Sequence, residues 1–161
     1  MTGLTNKKKK GGVLMLNEKL SFFTYMEIVP KTTNQQKKFS TKSKTFYKTP
    51  KMLEAEYRLI RALSGHQPKE KFIRPIKLTV YWIFQKTQKA KNGEVKAVTP
   101  DLDNLLKALQ DIMKRLGFYK DDSLIVEIHS KKVMHEKSGL YVEIEEVPKI
   151  DGEINDLLEK F

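Results

Sequence analysis

The sequence predicts an α/β fold: one mixed β-sheet with helices packed on it. Segments of β-type and helix-type apolar pattern follow one another in the order β, α, β, α, β, β, which suits strands sharing a sheet that the helices cover. A chain of 161 residues is long enough for one domain with a real core and short for two. No apolar run approaches the ~20 residues needed to span a bilayer, and no signal-peptide pattern opens the chain, so a soluble, cytoplasmic protein without a membrane partner is expected. The absence of cysteine excludes disulfides and thiolate metal sites and suits that compartment.

Residues 1–19 are basic, Gly-containing and poor in large apolar side chains, and are read as a disordered extension. The ordered domain is expected over 20–148. Its first strand is "LSFFTYMEIV", ended by Pro30. A polar, basic loop or hairpin follows. Thr49 then caps a helix with Pro50 at its first position, Leu53, Tyr57, Ile60 and Leu63 on its apolar stripe and Gly65 at its end. "IKLTVYWIF" alternates Ile76, Leu78, Val80, Trp82 and Phe84, as a central strand does, and assigns Trp82 to the core. The second helix carries Leu102, Leu105, Leu106, Leu109, Ile112, Met113 and Leu116 on one stripe and stops at Gly117. Two strands come next, with Leu124, Val126 and Ile128 on one face of the first and Leu140, Val142 and Ile144 on one face of the second. Residues 149–161 form a tail or a short helix.

The net charge of +11 is uneven: residues 1–50 hold eleven lysines against two glutamates, which leaves +2 for the remainder. Such an excess points to a polyanion, most often nucleic acid. Lys31, Lys37, Lys38, Lys42 and Lys44, with Phe39, Phe46 and Tyr47 among them, suit a DNA-facing surface. Lys86, Lys89, Lys91 and Lys96, around the Asn92-Gly93 turn, suit a second one.

Against this basic background, "TPDLDNLLKALQDIMKRLGFYKDDSL" sets Asp101 and Asp103 at the start of the second helix and Asp121-Asp122 after its end. Helix capping accounts for one acid at such a start. Asp103 and Lys107 share the polar face four residues apart. The helix is ~22 Å long at 1.5 Å per residue. Residues 117–122 therefore return Asp122 to Asp101 and Asp103 only if they run straight back along it. Three converging carboxylates without His or Cys make an oxygen-only site suited to Mg²⁺, or Mn²⁺ in its place, and argue against zinc. In phosphodiester hydrolysis such a cation generates hydroxide and neutralises charge on the phosphate, with the lysine adding to charge neutralisation or protonating the leaving group. His66, His129 and His135 show no ligand spacing; a phosphate contact is open to His129 with Lys131 and Lys132.

"PDLDNLLKALQDIMKRLGFYKDDSLIVE" resembles the signature of the RusA family of Holliday junction resolvases: a D-x-D-N-L-x-K start, a helix ending in Gly-aromatic, and Asp-Asp before the next strand. Similarity extends over about residues 20–147. The resemblance implies a homodimeric, Mg²⁺-dependent endodeoxyribonuclease that places paired, symmetric nicks across a four-way DNA junction in recombination and repair. It further implies Asp101, Asp103 and Asp122 as metal-binding catalytic acids and Lys107 as the catalytic lysine. Two alternatives stay open: a non-catalytic basic DNA-binding protein in which Asp101 and Asp103 only cap a helix, and a related nuclease acting on forks, flaps or phage DNA.

Overall fold

The computed structural model describes residues 19–30, 38–42, 45–150 and 152–161. Residues 1–18 of the basic extension, Lys31, Lys37 and Lys44 lie outside them, whereas Lys19, read as the end of the extension, begins the first strand. The chain runs β1 (Lys19–Tyr25), β2 (Lys38–Ser40), β3 (Thr45–Tyr47), α1 (Pro50–Leu63), β4 (Ile76–Gln85), β5 (Glu94–Val95), α2 (Leu102–Leu116), β6 (Ile125–His135), β7 (Gly139–Glu146) and α3 (Gly152–Leu158). Strands β2 and β3 pair as a separate hairpin, the second form allowed for the basic segment.

One five-stranded sheet organises the rest, in the order β1-β7-β4-β6-β5. β4 pairs in parallel with β6 and antiparallel with β7, so the connection through α2 is a β-α-β crossover and the sheet is mixed, as the element order requires. The expected alternation of β4 and β7 is realised: Ile76, Leu78, Val80, Trp82, Leu140, Val142 and Ile144 are fully buried. They meet Leu59 and Leu63 of α1 and Leu105, Leu109 and Met113 of α2 in a single core. The opposite face of the sheet carries Phe23, Thr79, Tyr81, His129 and Tyr141 around an open groove. His129 packs there edge-on against Tyr81.

Three local readings are corrected. β1 ends at Tyr25, because the chain turns after it and buries Met26 and Val29 as loop residues. In α1 the residues turned inward are Met52, Leu59, Ala62 and Leu63, while Leu53 and Tyr57 are exposed. The inward face is the one that packs Leu59, Ala62 and Leu63 into the core, and Glu56 is ion-paired with Lys48 and with Arg115 at the end of α2. In β6, Leu124 belongs to a 3₁₀ turn over Asp122–Leu124, and Val126 and Ile128 are exposed rather than facing the core together. The register shift between Ile76 and Lys77 leaves Val126 without a partner in β4, while Ile128 pairs with Leu78.

Candidate active site

Helix α2 is positioned by its apolar side and therefore presents a fixed polar side. Leu105, Leu109, Ile112 and Met113 are buried, with Leu102, Leu106 and Leu116 packed at their margins. Gly117 closes the helix at φ 84°, and the Phe118 N–H donates to the Met113 carbonyl at 3.0 Å, the cross-bond of a Schellman cap. Asp103 and Lys107 remain exposed on the surface left free.

At the start of α2, Asp101 holds the N-cap position, and the Leu105 N–H donates to its carbonyl at 3.2 Å. Its side chain makes no capping hydrogen bond. The capping explanation, sound for Thr49, whose hydroxyl accepts from the Met52 N–H at 3.3 Å, thus does not account for the Asp101 carboxylate. Neither Asp101, Asp103 nor Lys107 forms an ion pair among the described residues. Beside them Asn104 is buried, with its side-chain nitrogen unpartnered.

The far end is organised differently. The segment after Gly117 is diverted by the linker before β4: the Phe72 N–H donates to the Phe118 carbonyl at 3.0 Å and the Lys120 N–H to the Phe72 carbonyl at 2.9 Å. Tyr119 is buried and donates its hydroxyl to the Gln110 carbonyl at 2.9 Å. Burial, with the nearby Asp122 and Asp111 charges, pushes its phenol well above the ordinary range. Asp121 then caps the 3₁₀ turn, accepting from the Ser123 N–H at 3.0 Å and from Lys114 Nζ at 2.9 Å. These bonds, the backbone one first, hold its carboxyl well below the usual carboxylate range, while Asp121 raises Lys114 in return. Asp122 lies 3.9 Å from the same ammonium, and one of its oxygens is buried without a partner.

Asp122 thereby lies against the C-terminal half of α2, near Lys114 Nζ and the Tyr119 hydroxyl bound at Gln110, and Gln110 is two turns beyond Asp103, or about 10 Å at 1.5 Å per residue. The return along the helix that convergence demands is not completed, because pairing with Phe72 and the 3₁₀ turn take up the chain. Among the described residues no group of three His, Cys, Asp or Glu side chains is placed to hold a metal ion. The single chain carries Asp101 and Asp103 at the start of α2, and Asp121 and Asp122 beyond its end, as two separate pairs. The first pair still fits a hard cation: Mg²⁺ ordinarily takes one or two carboxylates and leaves its other positions to water and phosphate oxygen.

Of the remaining basic residues, Lys42, Lys89 and Lys91 are exposed, Lys86 is half-buried, and Lys38 lies in β2. Lys96 is turned over the Phe84 ring, 5.1 Å from its centroid. Sequence reasoning missed Lys114 as the partner of the second acid pair. The available signal was its place in the last turn of α2, where a cation complements the helix dipole.

A family model described as endodeoxyribonuclease RusA matches residues 27–145. A Lactococcus phage r1t protein named crossover junction endodeoxyribonuclease rusA is 44% identical over 93 residues, 56% of this chain and 71% of the relative. A protein of Aquifex aeolicus (strain VF5) named crossover junction endodeoxyribonuclease RusA is 44% identical over 45 residues, 27% of this chain and 36% of the relative. YqaN of Bacillus subtilis (strain 168) is 32% identical over 108 residues, 66% of this chain and 75% of the relative.

Proposed function

We infer the function from one premise: the chain belongs to the RusA family of endodeoxyribonucleases. It is a nuclease, and its activity is that of a crossover junction endodeoxyribonuclease, or Holliday junction resolvase, with branched DNA as substrate. The finer reading is ours. Asp101, Asp103 and Asp122 are the metal-binding acids, Lys107 the catalytic lysine, and Mg²⁺ the cation, which Mn²⁺ replaces. The observation that carries it is the Asp101 side chain, which occupies an N-cap position and makes no cap bond.

When bound, the cation supplies charge neutralisation and a more acidic water. Everything else comes from the chain. Asp101 and Asp103 keep two anionic oxygen donors beside the positive end of the α2 dipole. Lys107, four residues along the same exposed side as Asp103, offers its ammonium to a phosphate or to the leaving oxygen. Lys38, Lys42, Lys86, Lys89, Lys91 and Lys96, together with Lys31, Lys37 and Lys44 outside the described residues, are the lysines that would draw in the DNA backbone.

A homodimer completes the reading. A four-way junction has near two-fold symmetry, and a C2 dimer offers two like sites for symmetric nicks. Because α2 separates the acid pairs of one chain, Asp122 of each copy would complete the site built on Asp101 and Asp103 of the other. No helix among the described residues is long and apolar enough to cross a membrane, and the cytoplasm is the proposed compartment.

Cleavage of an end-labelled four-way junction, with matched linear duplex as control, tests the assignment. Wild type should place paired nicks in Mg²⁺ and none in EDTA, and Asp103→Asn should bind the junction without cutting it. Junction binding without cleavage by wild type in either Mg²⁺ or Mn²⁺ would instead indicate a DNA-binding protein. A preference for forks or flaps over four-way junctions would reassign the substrate.

A further inference from the structure

Lys132 of β6 is engaged in a way that a DNA-contacting lysine is not. It pairs with Trp82 of β4, so its side chain rises from the face of the sheet that the helices cover, whereas its neighbour Lys131 lies on the other face, 4.2 Å from the Tyr81 ring centroid. Lys132 Nζ donates to the Val98 carbonyl at 2.8 Å and to the Pro100 carbonyl at 2.7 Å. Its own carbonyl accepts from the Lys96 N–H at 3.0 Å. One residue therefore grips both ends of the segment 96–100, and Asp101 is the next residue.

That segment has little else to hold it. Ala97, Val98 and Thr99 are exposed. Between Lys96 and Asp101 the chain makes no backbone–backbone hydrogen bond among the described residues. Two of the three ammonium donors are directed at neutral carbonyls, and bonds from a charged donor are about twice as strong as neutral ones.

We propose that Lys132 is a positioning residue for the nuclease reaction, fixing Asp101 and Asp103 through the Val98 and Pro100 carbonyls. The role rests on the reading that those two acids hold the cation. Lys132 touches neither the substrate nor the acids. Its ammonium ties the approach to α2 to the central sheet, so that the first turn of the helix cannot shift along β6. A displacement of about 1 Å in a catalytic group can cost 100-fold in rate, and this is the scale on which losing the clamp should act.

The test compares wild type, Lys132→Met, which keeps the stem and loses the donors, and Lys132→Arg, which restores two donors in a fixed fork. Without metal, amide hydrogen exchange should show the Leu105 and Lys96 N–H groups losing roughly tenfold in protection in Lys132→Met. The Phe118 N–H, at the other end of α2, should keep its protection, and Lys132→Arg should recover most of the loss at Leu105 and Lys96. In cleavage, Lys132→Met should need several-fold more Mg²⁺ for half-maximal rate while binding the junction in EDTA with wild-type affinity and salt slope. Unchanged protection at Leu105, or an equal loss at all three amides, overturns the proposal. Weaker junction binding with a salt slope smaller by about one phosphate contact also overturns it and makes Lys132 a DNA contact. Unimpaired cleavage by Asp103→Asn would overturn the reading of the acids, and the exchange data would still decide whether Lys132 holds the loop.

Discussion

At the start of α2, Asp101 and Asp103 carry neither an ion pair nor a cap bond among the described residues, whereas beyond its end Asp121 is bound by Lys114 and the Ser123 N–H, with Asp122 beside them. The helix dipole explains the asymmetry. Its positive end stabilises the first pair of carboxylates without a counter-cation. The second pair lies near the negative end and is matched by a lysine. Two motifs of like composition thus differ in availability: the first is open to a hard cation, whereas in the second Asp121 is already part of the protein's own bonding and only Asp122 keeps an unpartnered oxygen.

Neutralising one acid at each end should have very different effects. Asp103→Asn should lose Mg²⁺-dependent junction cleavage by on the order of 1,000-fold, the factor that several kcal/mol of lost charge stabilisation represents. Asp121→Asn should retain most of it. Rates measured under single-turnover conditions with saturating enzyme separate cleavage from binding. Equal losses in the two variants would show that the bonding around Asp121 does not set it apart from the open pair.

Complementation between two inactive variants shows whether the two ends cooperate between copies. Asp103→Asn and Asp122→Asn chains, each inactive alone, are mixed after subunit exchange. If Asp122 completes the partner's site, a mixed dimer has one site with both substitutions and one with neither, and single nicks should reappear. Activity that stays at background in a mixture shown to contain mixed dimers would rule out sharing of acids between copies.

The sequence reading succeeded where one pattern dominates. β4 and β7 alternate without interruption, and Trp82 is core because its strand is central. The boundaries of α2 follow from Asp101 and Gly117, whose chemistry is local. It failed where a distant partner decides. The inward face of α1 depends on where α2 and the sheet lie. The exposure of Val126 follows from a bulge against Ile76. The site is the plainest case: the residues and their spacing could be read, and a length argument identified the condition for their meeting. That Phe72 would draw residues 118–120 aside could not be seen from either segment alone.

A smaller effect follows from the turn that separates the two ends. Gly117 sits at φ 84° with open space around its Cα, so Gly117→Ala meets no clash and is opposed only by the left-handed backbone. It should destabilise the fold by about 1 kcal/mol, read as a lower urea midpoint with an unchanged slope. Cleavage by the folded fraction should be unaffected. A selective loss of cleavage in Gly117→Ala would mean that the C-terminal end of α2 shapes the catalytic site directly, and the contrast between the ends would have to be redrawn.

The smallest effect concerns pH, and it separates the ends by stability rather than by rate. The Asp121 carboxyl lies below its ordinary value in the folded protein because the Ser123 N–H and Lys114 favour its charged form. The unfolded chain therefore takes up the proton first as pH falls. Asp121 contributes its stabilisation fully above about pH 4, the value of an unperturbed aspartate, and loses it as pH drops through the lower folded value. Asp121→Asn should show its deficit at neutral pH and converge with wild type at the acid end, as followed by urea midpoints from neutral pH down into the strongly acid range. Added salt should shrink that deficit, because the pair with Lys114 is exposed. A deficit that persisted undiminished at the lowest pH would assign the role of Asp121 to the shape of the 3₁₀ turn rather than to its charge.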